Sequence, residues 1–152
     1  MKKEIEKLIN TIIEIHGVDN LKAELHSILG SSDDENTLTI IANAGIHPTE
    51  ALHNRGTVYI ASTGSLDFSS KESSALEIKN ILYGVAKVLK SKKWKKVILV
   101  PFGPSVLSMN IKMLVYKILY INTIDVLHAG NGIHYDINVD HRKIAENAPQ
   151  KD

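Results

Sequence analysis

The apolar positions change period near residue 37, and that change organises the chain. Before it, Ile5, Leu8, Ile9, Ile12, Ile13 and Ile15 recur at helical spacing, with Lys3, Glu6, Lys7 and Glu14 on the other side. Gly17 ends this first predicted helix. Asp19 or Asn20 is placed to cap a second, carrying Leu21, Leu25, Ile28 and Leu29 up to Gly30. The polar, acidic stretch Ser31 to Asn36 has the composition of a loop. From Thr37 onward, short β-branched runs predict strands at 37–42, 57–61, 96–100 and 124–127. Continuous apolar runs of this length suit strands buried on both faces, as in a mostly parallel sheet covered by helices.

A long helix is predicted between the second and third strands. Ser69 and Glu72 are spaced as a capping box, and Leu76, Ile78, Ile81, Leu82, Val85, Val88 and Leu89 form its apolar face. A helix from about Ser105 to Tyr120 separates the third and fourth strands. Ile133 to Val139 alternates, which predicts an edge strand with one wet face. The tail from Asn147 carries no pattern and is expected to fray. Strand–helix–strand alternation after a helical start predicts an α/β fold, Rossmann-like, with a mostly parallel sheet flanked by helices and an N-terminal helical extension. One domain is expected over 1–152, with residues 1–30 as the helical prelude and 37–140 as the Rossmann-like core. The connection from Ala42 to Thr57 is short for a parallel crossover, which leaves the relation of the first two strands open.

Composition narrows the function classes. At 43% hydrophobic and 23% charged residues the chain has an ordinary globular composition, which argues against disorder and a coiled coil. The absence of cysteine removes disulfides, zinc-thiolate sites and a cysteine nucleophile, and fits the cytoplasm. No apolar run is long enough to span a bilayer and no signal segment opens the chain, so no membrane association is expected. A formal net charge of +1 argues against binding duplex DNA through many phosphates. The lysine run around Trp94 lies at a helix C-terminus and a turn, where it is read as a solvated face with Trp94 packed beneath it.

The residues after each predicted strand carry the candidate chemistry. They are Asn43-Ala44-Gly45, Ser62-Thr63-Gly64, Pro101-Phe102-Gly103-Pro104-Ser105 and His128-Ala129-Gly130-Asn131-Gly132. Open α/β sheets bind ligands outside the carboxyl ends of their strands, and small residues there let backbone N–H groups approach a ligand. Asn43, Gly45, Ser62, Thr63, Gly64, Gly103, Pro104, Ser105, His128 and Asn131 are therefore candidate ligand-binding residues, with Arg55 as the neighbouring cation. Ser105 is placed at or near a helix N-cap, where it either caps its own helix or helps bind an anion. Walker A and Gly-x-Gly-x-x-Gly sequences are absent, which removes the usual support for ATP hydrolysis and NAD chemistry. None of the seven histidines has a spacing specific to zinc, so neither a metal nor a cofactor is expected. His47, His53 and His128 are instead candidates for acid–base work or donation to phosphate.

Val97 to Leu107 (VILVPFGPSVL), followed by a helix and Ile124 to Ile137 (IDVLHAGNGIHYDI), resembles the SAVED and CARF sensor domains of bacterial antiviral systems. Leu38 to Gly45 and Val58 to Gly64 fit the other ligand-facing strand ends of that family, so the resemblance covers about two-thirds of the chain. It implies binding of a cyclic or linear oligonucleotide second messenger and assembly as a homodimer or higher oligomer. The family's usual fused nuclease, protease or membrane segment is not seen here, so the resemblance implies a domain that passes its signal to a separate effector protein, sequesters the messenger or destroys it. Its alternative implication is a metal-independent ring nuclease, in which a ribose 2′-hydroxyl attacks its own phosphate. A protein-interaction module without a small-molecule site is the remaining reading.

Overall fold

The structure is a computed structural model that describes residues 2–19, 21, 22, 25, 34–45 and 53–151. It is an α/β fold in which α1 (Lys2–His16) precedes a five-stranded sheet. The strands are β1 (Thr37–Ile41), β2 (Thr57–Ile60), β3 (Lys96–Val100), β4 (Ile124–His128) and β5 (His134–Asn138). The helices are α2 (Lys71–Leu89) between β2 and β3, α3 (Ser105–Leu119) between β3 and β4, and α4 (His141–Asn147) after β5. Gly17 ends α1 as expected, its N–H reaching the Ile13 carbonyl at 3.0 Å. Most of the predicted second helix, including Asn20, His26 and Ile28 to Gly30, lies outside the described residues, as does the connection at Ser31 to Asp33.

The sheet runs β2-β1-β3-β4-β5, parallel throughout except for β5, which is antiparallel to β4. The first two strands are thus parallel neighbours, paired from Leu38–Thr57 to Ile41–Ile60. One face carries Leu38, Ile40, Val97 and Leu99 against Val85 and Leu89 of α2 and Leu107, Ile111 and Val115 of α3. Trp94 joins this core from the turn before β3, where its indole N–H donates to the Val88 carbonyl at 2.9 Å. The opposite face carries Ile41, Ile98, Val100 and Val126. There the hydroxyl of Thr39 donates to the Arg55 carbonyl at 2.6 Å, which ties the residues just before β2 to this face. The two crossovers through α2 and α3 lie on the same face of the sheet.

The local rules correct the reading at several ends. The α2 capping box is Ser70 with Ser73, because Ser70 is the extended residue whose hydroxyl accepts the Ser73 N–H at 3.0 Å. Ser69 instead donates to Asp67. The N-cap of α3 is Pro104, which has no side chain able to accept, and Ser105 is the first helical residue and caps nothing. Residues 141–147 form a helix ahead of the tail, begun by Asp140, whose carboxylate accepts the Lys143 N–H at 3.0 Å. Among the described residues no helix is long and apolar enough to cross a membrane.

Candidate functional site

The strand order fixes where a crevice opens. From β1 the chain crosses to β2 on one side, and from β3 it crosses to β4 on the other. The segments leaving β1 and β3 therefore diverge, and the gap between them is the topological switch point, where open α/β sheets take ligands.

On the β1 side, five of the predicted residues come together. The strands stay zipped past their ends: Ala44 N–H donates to the Ser62 carbonyl and Gly64 N–H to the Ala44 carbonyl, each at 2.9 Å. Ala44 and Thr63 form a parallel bridge, and Gly45 approaches Gly64 closely enough that a Cβ on it would stand 3.6 Å from the Gly64 nitrogen. The Ser62 hydroxyl is turned inward to the Ala42 carbonyl at 2.6 Å. Asn43 is fully buried, and its Nδ2 donates to the Gly64 carbonyl at 2.9 Å while its Oδ1 has no hydrogen-bond partner among the described residues.

On the β3 side, Gly103 packs against Asn43 and leads through Pro104 into α3. With proline as N-cap, the first turn receives no side-chain acceptor. The Leu107 N–H reaches the Pro104 carbonyl at 3.0 Å, but among the described residues the N–H groups of Ser105 and Val106 have no acceptor. These are the donors that a helix start offers to an anion, reinforced by the dipole of a 15-residue helix.

A row of rings links this turn to the far edge of the sheet. Phe102 meets His53 at 5.2 Å between centroids, His53 meets His134 at 4.9 Å, and His134 meets His128 at 4.7 Å, all edge to face. His53 is buried. His128 accepts the Gly130 N–H at Nδ1, 3.1 Å away, and Asn131 turns the hairpin with φ 51°. Beside the row, the Arg55 guanidinium makes a two-pronged pair with Asp136 of β5, at 2.5 and 2.9 Å. The paired guanidinium holds the Asp136 carboxyl below the usual carboxylate range. Arg55 is thus already engaged by an acid. His47 lies outside the described residues.

Phe102, His134 and Asp136 were not singled out by the sequence reading. The signal for the last two was present: the alternation of β5 puts His134 and Asp136 on one face, and register sets His128 opposite His134. Among the described residues, no group of three or more histidines or carboxylates is arranged to hold a metal ion. Among the described residues, what this region offers is two backbone donors without acceptors at a helix start, and, packed on Gly103 two residues before it, a buried amide whose oxygen accepts no hydrogen bond. That chemistry suits an anion attached to a group that carries N–H or O–H donors. Comparison with known proteins finds no family model, no curated protein and no solved structure that matches the chain.

Proposed function

We propose that this chain binds a phosphate-bearing, nucleotide-derived ligand in the crevice between the ends of β1 and β3. The class we propose is the cyclic oligonucleotide second messengers of bacterial antiviral defence, bound in the cytoplasm, with the signal passed to a separate effector protein. The observation that carries the reading is the start of α3. Among the described residues its Ser105 and Val106 N–H groups have no acceptors, and the preceding Gly103 packs on Asn43, at the point where the strand order reverses. A phosphate there accepts from the free N–H groups, and the nucleoside supplies hydroxyl and amine donors for an amide acceptor. Such a site needs no lysine-rich surface, in keeping with a net charge of +1.

The test is thermal unfolding of the purified chain with a panel of cyclic di-, tri- and tetranucleotides, followed by mass analysis of the recovered ligand. A rise in Tm with at least one member and recovery of that ligand intact are expected. No rise with any member overturns the reading. Recovery of linear products replaces it with the phosphodiesterase reading, with His53 and His128 the first residues to substitute.

A further inference from the structure

The hairpin joining β4 to β5 turns on Asn131 and Gly132, the only asparagine–glycine pair in the sequence. The Ile133 N–H donates to the Gly130 carbonyl at 2.9 Å, and the two central residues have φ 51° and 73°. Both therefore lie in the left-handed region, which asparagine and glycine enter more readily than other residues. Asn-Gly is the pair that such turns favour. It is also the pair in which an asparagine amide is least protected from its own backbone, because the next residue has no side chain to obstruct attack. Asparagine is one of the thermolabile side chains for this reason.

Three features leave this amide open. Asn131 and Gly132 are both exposed, so water and base reach them. Among the described residues the Gly132 N–H donates to no acceptor, and the Asn131 side chain makes no hydrogen bond. Gly130 and Gly132 flank the asparagine, and a Cβ on either would meet nothing within 4 Å, so the turn has room to rotate. Other asparagines differ in each respect. Asn43 is buried, with its Nδ2 held by the Gly64 carbonyl. Asn110 gives its Nδ2 to the Val106 carbonyl inside α3 and precedes the branched Ile111.

We propose that Asn131 is a site of spontaneous modification, at which the chain converts an amide to a carboxylate and alters the β4–β5 turn. The Gly132 nitrogen gives up its proton to base and attacks Cγ of Asn131. A Cγ–N bond forms and the Cγ–Nδ2 bond breaks. The departing nitrogen takes up a proton and leaves as ammonia, closing a cyclic imide. Water then opens the ring. Cleavage at Cγ gives aspartate. Cleavage at the backbone carbonyl gives isoaspartate, whose main chain runs through Cβ and Cγ and is longer by one methylene. Either product adds a negative charge beyond the carboxyl end of β4. Isoaspartate also lengthens a turn that closes on the His128–His134 pair, which loosens the register of β4 on β5. The proposal is independent of the ligand reading.

Incubation of the full chain in warm, mildly alkaline buffer tests it, followed by isoelectric focusing, peptide mass mapping and enzymatic methylation of isoaspartyl residues. Acidic species should accumulate, with the mass change and the methylation both on the peptide that holds Asn131. Asn131→Gln keeps an exposed amide but must close a larger ring, so the acidic species should form about tenfold more slowly or less. The separated isoaspartyl fraction should unfold at a lower Tm than Asn131→Asp, which carries the charge without the extra methylene. A chain that stays unchanged overturns the proposal, as do acidic species that form equally fast in Asn131→Gln. An isoaspartyl fraction as stable as Asn131→Asp overturns the effect on the turn.

Discussion

Gly103 and Asn43 are interlocked across the switch point: a Cβ on Gly103 would stand 2.7 Å from the Cβ of Asn43. Gly103 also has φ 86°, in the left-handed region that glycine alone enters freely. Through the Asn43–Gly64 hydrogen bond, this contact ties the ends of β1, β2 and β3 together. The arrangement of these three strand ends is therefore set by packing within the fold.

Gly103→Ala should destabilise the fold by roughly 1–3 kcal/mol, the sum of left-handed strain and the clash with Asn43. Because the obstacle is the Asn43 Cβ, Asn43→Gly should relieve part of that cost. Urea denaturation of both single variants and the double variant should show a coupling above about 0.5 kcal/mol. Additive effects would mean that the two residues do not constrain each other.

At Gly56 the obstacle is backbone. A Cβ there would lie 2.3 Å from the Thr37 carbonyl oxygen, and φ is 66°. The start of β1 cannot retreat, because Thr37 is paired with Lys96 in the sheet. Gly56→Ala should cost more than Gly103→Ala, on the order of 4 kcal/mol or enough to prevent folding. Soluble Gly56→Ala protein as stable as Gly103→Ala would show that the crossover adjusts.

Much of this fold was legible because its strands are short β-branched runs whose pattern survives tertiary packing. β3 falls at the predicted residues, and the ends of the other strands move by a residue or so. Helix α4 was missed because it buries no residue, and so leaves no apolar period to detect. The capping box moved one residue along because several adjacent serines compete to start α2, and only Ser70 takes the extended conformation. The site was legible as a set of strand ends but not as an arrangement. Arg55 meets an aspartate 81 residues away, and a local reading of the chain does not pair such positions. Likewise, Ser105 is a good capping residue in isolation, but Pro104 takes the N-cap and leaves the helix start open.

The Arg55–Asp136 pair should make stability fall in acid. Its carboxyl has a depressed pKa when folded, so its contribution is present above the unfolded carboxylate value of about 3.9 and is lost as pH falls through the folded value. The side chains are 30% and 47% exposed, so solvent screening limits the pair to about 0.5–1 kcal/mol. Asp136→Asn should be less stable than wild type by that amount at pH 7, and the two should converge as pH falls below the usual carboxylate range and the Asp136 carboxyl takes up its proton. A difference that persists unchanged in acid would assign the effect to packing.

Ser105→Pro offers the most direct test of the crevice. Proline is accepted at the first position of a helix, because the N–H it removes has no intrahelical acceptor. The residue before it must be extended, and Pro104 already is, at φ −64° and ψ 130°. The variant should therefore fold with a Tm within a few degrees of wild type. It lacks one of the two donors proposed to hold phosphate, and a hydrogen bond to a charged group is worth about 1.5–3 kcal/mol. Affinity for the cyclic oligonucleotide that stabilises the wild type should fall about 10- to 100-fold, from the same figure. Ser105→Ala keeps the N–H and should bind nearly as well as wild type, as should Lys92→Ala and Lys93→Ala on the solvated turn before β3. Calorimetric titration at one ionic strength separates the cases. Wild-type affinity in Ser105→Pro would remove the helix start from the site, and a loss confined to the lysine variants would move the ligand to the basic turn.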